Sequence, residues 1–266
     1  DGQVWYDSTA ADFKYQYANL TTAAWSTGGN LNTARVFLAG AGTQTSTLAF
    51  GGNPGIVALT ESYNGSAWTE VADLNTGRFA LAGAGVSNTS ALAFGGRPSP
   101  TPVGAETESW NGSSWTEVND LNTARSTLTG GGTNTSALAF GGTTNSTELW
   151  NGTSWTANPS SLNTSRNYLG GVATDSTSAL AFGGGPNLAI TESWNGSSWT
   201  EVADLNTGRE ALAGAGINTS ALAFGGTSPA TGKTELWNGS AWTETTDLNT
   251  ARGASGGAGT QTSALA

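Results

Sequence analysis

The motif Leu-Asn-Thr-x-Arg recurs six times in this 266-residue chain and gives it a regular internal period. Its arginines are Arg35, Arg78, Arg125, Arg166, Arg209 and Arg252, at spacings of 43, 47, 41, 43 and 43 residues. Self-similarity at such a period indicates an array in which one small structural unit is repeated. A residue present in every unit is therefore first a structural element, and function is sought where the repeat is broken.

Each unit predicts four short β-strands. In residues 121–157 the strand segments are 126–131, 135–140, 147–150 and 154–156. The last two are separated by Asn151-Gly152, which predicts a type I′ hairpin turn because that turn needs positive φ at both central residues. Glycine interrupts every run, and no segment sustains a 3.6-residue apolar period, so helix is disfavoured. Repeated units of four antiparallel strands predict an all-β fold of the β-propeller type.

The first and the outer strands of each unit have different compositions. First strands are rich in small residues, as in VFLAGAG (36–42) and FALAGAG (79–85), which suits strands crowded around a central axis. Outer strands carry aromatic pairs five residues apart, such as Trp110 with Trp115. We expect these tryptophans to fill the widening wedge between neighbouring blades.

Counting the strands predicts six blades. First and second strands occur six times, whereas third and fourth strands occur five times after the first arginine. Residues 13–17 and Ala24-Trp25 supply the missing outer pair. We therefore expect a six-bladed β-propeller of four-stranded antiparallel blades, closed by N-terminal outer strands with C-terminal inner strands. Closure of this kind hides both sheet edges.

The same count sets the domain boundaries. Residues 1–12 are expected to be a lead-in hairpin or linker, and residues 13–266 a single propeller domain. The chain lacks an initiator methionine, and its last copy stops at Ala266 where the other copies continue Phe-Gly-Gly. These two features predict that it is part of a longer parent chain.

One unit resembles the kelch repeat. Arg125 opens the first strand, Gly141-Gly142 closes the second, Trp150 lies on the third and Trp155 precedes the fourth, in the kelch order. The resemblance covers nearly the whole chain and implies a propeller fold. WD40 repeats have a similar period, but their Gly-His and Trp-Asp marks are missing here.

A second resemblance concerns the uniformity of the units. Residues 60–78 read TESYNGSAWTEVADLNTGR and residues 191–209 read TESWNGSSWTEVADLNTGR. Such uniform kelch-like arrays, preceded by a lead-in like GQVWYDSTAADFKYQY, are similar to domains of tailed-phage virion and tail-fibre proteins. The resemblance implies an extracellular or virion-surface location and a role in host recognition.

Composition argues against several classes of function. The formal net charge of −10 disfavours binding to nucleic acid, and no apolar run is long enough for membrane insertion. Without histidine, cysteine or methionine the chain offers no catalytic, metal-binding or cofactor-binding set of the usual kinds. Kelch propellers resembling galactose oxidase need histidine and a Cys–Tyr cross-link. The hairpin 110–115 resembles a sialidase Asp-box, but a tryptophan stands where that box has its aspartate. We therefore expect no enzyme and no cofactor.

The six motif arginines are the main candidate ligand-binding residues, since they are the only concentrated positive charge in the chain. Strand directions predict that they ring the channel mouth, on the face shared by the blade linkers and the loops between strands two and three. One interpretation is structural, with each arginine paired to the aspartate five residues before it, at Asp73, Asp120, Asp204 and Asp247. Arg35 and Arg166 lack that aspartate. In the other interpretation the ring, or these two members, binds an anion or an acidic sugar, and kelch proteins that bind acidic peptides use arginines at this position.

The loops after each Phe-Gly-Gly break the repeat. They span residues 53–59, 97–106, 143–146, 185–190 and 227–233, and six of the seven prolines lie in them. Variable loops on a rigid scaffold are common recognition sites, although neutral length drift is the alternative. Arg97, in the longest loop, and Lys233 complete the candidate set. The Asn-x-Ser/Thr triplets at the hairpins are interpreted as turns rather than glycosylation acceptors.

These features predict a non-enzymatic recognition module on a virion or cell surface. It would bind a glycan or a protein surface, such as a host component, through loops on one propeller face. The alternative is a structural decoration or assembly domain that contacts other virion proteins, and a third hypothesis is a glycan-processing hydrolase.

Overall fold

The computed structural model describes residues 3–7, 12–16, 24–227 and 229–266. In that part of the chain there is no helix long and apolar enough to cross a membrane. An N-terminal hairpin pairs β1 (Gln3–Asp7) with β2 (Asp12–Gln16). All the remaining regular structure within these described ranges is β-strand as well.

Five sheets have four antiparallel strands each and are the blades of a β-propeller. Blade 1 contains β3 (Ala39–Thr43), β4 (Ser46–Phe50), β5 (Thr60–Tyr63) and β6 (Trp68–Glu70). A short pair, β7 (Arg78–Phe79) and β10 (Arg97–Pro98), flanks blade 2, which contains β8 (Ala82–Ser87), β9 (Ser90–Phe94), β11 (Thr107–Trp110) and β12 (Trp115–Val118). Blade 3 contains β13 (Thr129–Gly132), β14 (Ala137–Phe140), β15 (Thr147–Trp150) and β16 (Trp155–Asn158).

Blade 4 contains β17 (Gly170–Asp175), β18 (Ser178–Phe182), β19 (Thr191–Trp194) and β20 (Trp199–Val202). Blade 5 contains β21 (Ala213–Ile217), β22 (Ser220–Phe224), β23 (Thr234–Trp237) and β24 (Trp242–Thr245). After blade 5, a two-stranded sheet pairs β25 (Ala258–Thr260) with β26 (Ser263–Leu265) and is called the half-blade here.

The sequence prediction of four antiparallel strands per unit is confirmed; among the described residues five such blades are complete, and not six. The structure has five four-stranded blades and the half-blade. Of residues 13–17, expected to be a third strand beside β26, residues 13–16 pair with β1 instead. Tyr17, the last residue of that expected strand, lies outside the described residues.

The inner strands lie side by side in the order β3, β8, β13, β17, β21 and β25, and β25 also contacts β3. Glycine is required where these strands come closest. A Cβ atom at Gly83 would lie 2.7 Å from Cζ of Phe50 and 2.9 Å from the carbonyl oxygen of Gly40. The small residues of the first strands therefore permit close packing around the axis, as the sequence predicts.

Tryptophans fill the wedges between blades, which confirms the sequence prediction. Trp115 of blade 2 donates from Nε1 to the hydroxyl of Thr60 in blade 1 at 3.1 Å, and its ring packs 5.0 Å from the ring of Phe50. The same pair of contacts is made by Trp155, Trp199 and Trp242. The phenylalanine that ends the second strand of each of blades 1 to 4 is thus buried beneath a tryptophan of the next blade.

The Asn-Gly hairpins differ from the predicted type I′ turn. Trp150 pairs with Trp155, so the loop has four residues, 151–154, and not two. Only Gly152 has a positive φ, at 96°. The side-chain oxygen of Asn151 accepts hydrogen bonds from the backbone N–H groups of Thr153 and Ser154, each at 2.9 Å. Asparagine is used here for its side-chain acceptor and not for its tolerance of positive φ.

Candidate functional site

The Leu-Asn-Thr-x-Arg motif encloses one buried carboxylate, as blade 2 illustrates. Arg78 donates from Nη2 to Oε1 of Glu108 at 3.2 Å. Oε2 of the same glutamate accepts from the backbone N–H of Asn75 at 2.7 Å, and Oε1 accepts from that of Thr76 at 3.3 Å. Leu74, the first residue of the motif, is buried in the hydrophobic core. The motif therefore forms a cradle, a set of hydrogen-bond donors that surround the glutamate of the third strand, and this role accounts for its repetition along the chain.

Five of the six motif arginines are buried in this way. The ion pairs are Arg35–Glu61, Arg78–Glu108, Arg125–Glu148, Arg166–Glu192 and Arg209–Glu235, with N–O distances of 2.9–3.2 Å. Each guanidinium also donates to backbone carbonyls of its blade; Arg125, for example, donates to Ser146 at 2.5 Å and to Ala139 at 3.3 Å. Burial lowers the pKa of Arg125 to about 10, and Glu148 opposes that shift, so the group stays protonated at neutral pH.

This arrangement corrects two expectations from the sequence. The five arginines do not form an exposed ring of charge at the channel mouth, because their side chains lie inside the blades against glutamates. The aspartates do not pair with the arginines that follow them. Oδ1 of Asp120 accepts from the backbone N–H of Thr107 at 3.0 Å, which ties the blade linker to the third strand of the same blade. Asp73, Asp204 and Asp247 make the equivalent bond.

The other three candidate cations have separate environments. Arg252 is exposed and donates to the carbonyl of Ala266 at 3.3 Å. The guanidinium carbon of Arg97 lies 5.9 Å from the ring centroid of Phe79, and its Nε donates to the hydroxyl of Ser126 at 3.0 Å. Nζ of Lys233 lies 2.9 Å from Oγ1 of Thr207 and 3.4 Å from Oε1 of Glu244. The structure therefore does not bring these three together.

A cycle of backbone hydrogen bonds surrounds the axis two residues after each motif arginine. The six residues, called the axial ring here, are Phe37, Ala80, Thr127, Tyr168, Ala211 and Ala254. Each donates its N–H to the carbonyl of the ring residue in the preceding unit, and Phe37 donates to Ala254, at distances of 2.7–3.1 Å. The cycle thereby joins each of the six units to its two neighbours close to the axis.

All six ring residues have positive φ, between 52° and 56°, although none is glycine. Non-glycine residues in this region cost about 1 kcal/mol or more each, so the hydrogen-bond cycle must hold them there. Strain of this kind is concentrated at functional sites more often than elsewhere. The residue type at the ring also varies from unit to unit, unlike the arginine two positions before it.

The axial mouth, formed by the ring and the layer beneath it, has a small cavity of about 80 Å³. The layer consists of Leu38, Leu81, Leu128, Leu169 and Leu212, with Ser255 at the sixth position. The buried hydroxyl of Ser255 has no hydrogen-bond partner among the described residues. Phe37 and Tyr168 lie opposite each other in the ring, with ring centroids 5.8 Å apart. None of the residues that line this cavity is charged.

The variable loops lie on the same face as the linkers, as the sequence predicts. Arg97 and Pro98 pair with Phe79 and Arg78, so the longest loop starts directly beside the linker of blade 2. Val36 pairs with Asn53, and Glu210 with Thr227, in the same way. The loops and the axial mouth therefore form one continuous surface.

Sequence reasoning missed the axial ring, and a signal for it was present. The two residues after each arginine read Val-Phe, Phe-Ala, Ser-Thr, Asn-Tyr, Glu-Ala and Gly-Ala, while the motif before them is nearly constant. No group of three or more acidic residues placed to hold a metal ion occurs among the described residues.

The fold places this chain among the β-propeller proteins with four-stranded blades. No protein family model matches its sequence, and no curated protein matches it either.

Proposed function

We propose that this chain is a six-bladed, kelch-like propeller that acts as a non-enzymatic recognition module through the face carrying the linkers and variable loops. The observation that carries the proposal is where the repeat is broken. Five arginine–glutamate pairs, the wedge tryptophans and the hairpins are nearly identical between units, whereas the loops and the ring residues of one face differ. Variation confined to one face of a rigid scaffold is the pattern of a binding surface.

Four contacts support closure of the propeller by a sixth blade. Trp25 donates to the hydroxyl of Thr234 at 3.2 Å and packs 5.0 Å from the ring of Phe224, which are the contacts of a fourth-strand tryptophan. Asn249 donates to the carbonyl of Trp25 at 2.9 Å, as Asn206 does to that of Trp242. Between the half-blade and blade 1, the hydroxyl of Ser263 donates to the side-chain oxygen of Gln44 at 2.7 Å.

Cross-linking between introduced cysteines tests the closure. Because the sequence contains no cysteine, only the introduced thiols can react. Gln44 and Ser263 are both changed to Cys, and the double variant is treated with a short bifunctional thiol-reactive reagent, a bis-methanethiosulfonate, which releases methanesulfinate as each thiol is joined. Closure predicts an intramolecular cross-link as efficient as that of the pair Ser136→Cys and Ser176→Cys, whose hydroxyls are 2.9 Å apart in adjacent blades. A cross-link in the second pair alone would show that the ring is open.

The partner that suits this face best is a glycan or another host-surface component. Phe37, Phe79 and Tyr168 are only partly buried at the mouth, and polar loop residues surround them. Aromatic rings beside polar groups are common in sites that recognise molecules with both apolar and polar edges. A virion or cell-surface location is part of the proposal and rests on the similarity of the uniform units and lead-in to phage tail-fibre domains.

A glycan array with the whole chain tests the recognition function. Saturable binding to a defined set of glycans supports it. If no glycan binds, and the domain instead makes a regular contact with a neighbouring chain in its native particle, the structural decoration role replaces it. Hydrolysis of an array glycan would overturn the non-enzymatic part.

A further inference from the structure

We propose that the axial mouth is a subsite for one uncharged sugar residue, whose ring stacks on Phe37 and Tyr168 and whose hydroxyl binds Ser255. The inference rests on the proposed recognition function and names the site and the class of ligand. It follows from the asymmetry of the mouth.

The asymmetry is set by the order of residues around the axial ring. Phe37 and Tyr168 are separated by two ring positions on either side and contact each other across the axis. Phe79 extends the aromatic surface, with its ring centroid 6.3 Å from that of Phe37. On the side between Tyr168 and Phe37 the ring residues are Ala211 and Ala254. The mouth thus has an aromatic bar with a lower, small-residue floor beside it.

Ser255 makes a notch in that floor. In the other five units this position is leucine, so serine removes most of a side chain and leaves a hydroxyl in its place. That hydroxyl is buried and unpartnered among the described residues. A buried hydroxyl without a partner costs about 1–3 kcal/mol, which a ligand hydroxyl or a water molecule would recover.

The size and charge of the mouth define the class of ligand. Its cavity of about 80 Å³ exceeds the roughly 15 Å³ needed by a water but is far below the roughly 300 Å³ of a site that encloses a small molecule. It therefore takes the edge or an exocyclic group of a ligand that extends outwards over the loops. Because the lining is uncharged, the part that enters is neutral, which favours a neutral sugar over an acidic one.

The repeat supplies substitutions that the fold already accepts. Phe37→Ala introduces the residue present at three other ring positions with the same φ, namely Ala80, Ala211 and Ala254. Ser255→Leu introduces the residue present in the layer of the other five units. Val86→Ala, at a side chain 57% exposed at the end of β8, is a control away from the mouth.

Binding is measured by calorimetry with the tightest neutral glycan from the array, and the thermal midpoint is recorded for each variant. Phe37→Ala and Ser255→Leu are each expected to weaken binding about tenfold or more without lowering the thermal midpoint, since an aromatic contact or a hydrogen bond is worth about that factor. Val86→Ala is expected to leave affinity unchanged.

The possible failures are distinguishable. If the wild type binds a neutral glycan and both mouth variants retain its affinity, the subsite is wrong and the recognition function stands. If only acidic glycans bind, in a salt-sensitive manner, the neutral class of ligand is wrong. If the wild type binds no glycan at all but captures a protein, both the subsite and the glycan function fail.

Discussion

Nη2 of Arg78 lies 3.2 Å from Oε1 of Glu108, and at most 2% of either side chain is exposed. Burying two charges costs free energy, and this cost is offset only by the ion pair together with the hydrogen bonds that its two groups make. The carboxylate also holds the linker through Asn75 and Thr76. Removing its charge therefore leaves a buried guanidinium without its counter-ion.

We expect Glu108→Gln to lower the free energy of unfolding by about 3–5 kcal/mol, the usual cost of breaking a buried pair from one side. The matched control is Glu117→Gln, because Glu117 is the exposed cross-strand neighbour of Glu108. Its expected effect is within about 0.5 kcal/mol. Urea denaturation of both variants measures the difference, and equal small effects would show that the pair does not stabilise the blade.

We expect Asp120 to stabilise the fold through the hydrogen bond that its side-chain oxygen accepts, and not through its negative charge. Asp120→Asn keeps the side-chain oxygen that accepts from Thr107 and should change stability by less than about 0.5 kcal/mol. Asp120→Ala removes it and should cost about 1 kcal/mol. Chemical denaturation compares the two, and a large loss in Asp120→Asn would restore the idea that this aspartate neutralises an arginine.

Trp25 is expected to stabilise the array through blade 5. Trp25→Ala removes the bond to Thr234 and the ring contact with Phe224, and should cost about 1–2 kcal/mol because Trp25 is only partly buried. Trp115 is only 5% exposed in its wedge, so Trp115→Ala should cost about 3–5 kcal/mol. Thermal unfolding of both variants checks the order. A Trp25→Ala variant as stable as the wild type would contradict the proposed sixth blade.

The strain in the axial ring can be measured with glycine. Ala80→Gly relieves a positive φ of 53° and should be about neutral, since this gain offsets the lost methyl group and the added chain entropy. Ala82→Gly, two residues later in β8, relieves no strain and should cost about 1.5 kcal/mol. Denaturation midpoints of the pair give the comparison, and equal losses would show that the ring is unstrained.

Much of the fold follows from local sequence, as the wedge tryptophans illustrate. Their five-residue spacing, with Gly between them, is enough to predict a hairpin of outer strands, and their size predicts the wedge. The half-blade is different. Whether β26 gains outer strands depends on whether residues near the two ends of the chain pair with each other. The local sequence pattern carries no information on that long-range pairing.

The arginines show why the site was harder to predict. Arg125 and Glu148 are 23 residues apart, whereas Arg78 and Glu108 are 30 apart, because the loop between the second and third strands varies in length. Asp120 is nearer to Arg125 in sequence and was the more obvious partner. Only the pairing of the second strand with the third brings the glutamate under the arginine, and a spacing rule does not reveal that.

The cradle around each glutamate has a consequence for engineering. It fixes the backbone immediately before two variable residues, the second of which lines the axial mouth, and the same ion pair does so in five units. The side chains at those two positions are already Val-Phe, Asn-Tyr or Glu-Ala without any change in the frame that carries them. The chain is thus suited to libraries in which side chains at the mouth are randomised while the residues that stabilise the fold are kept.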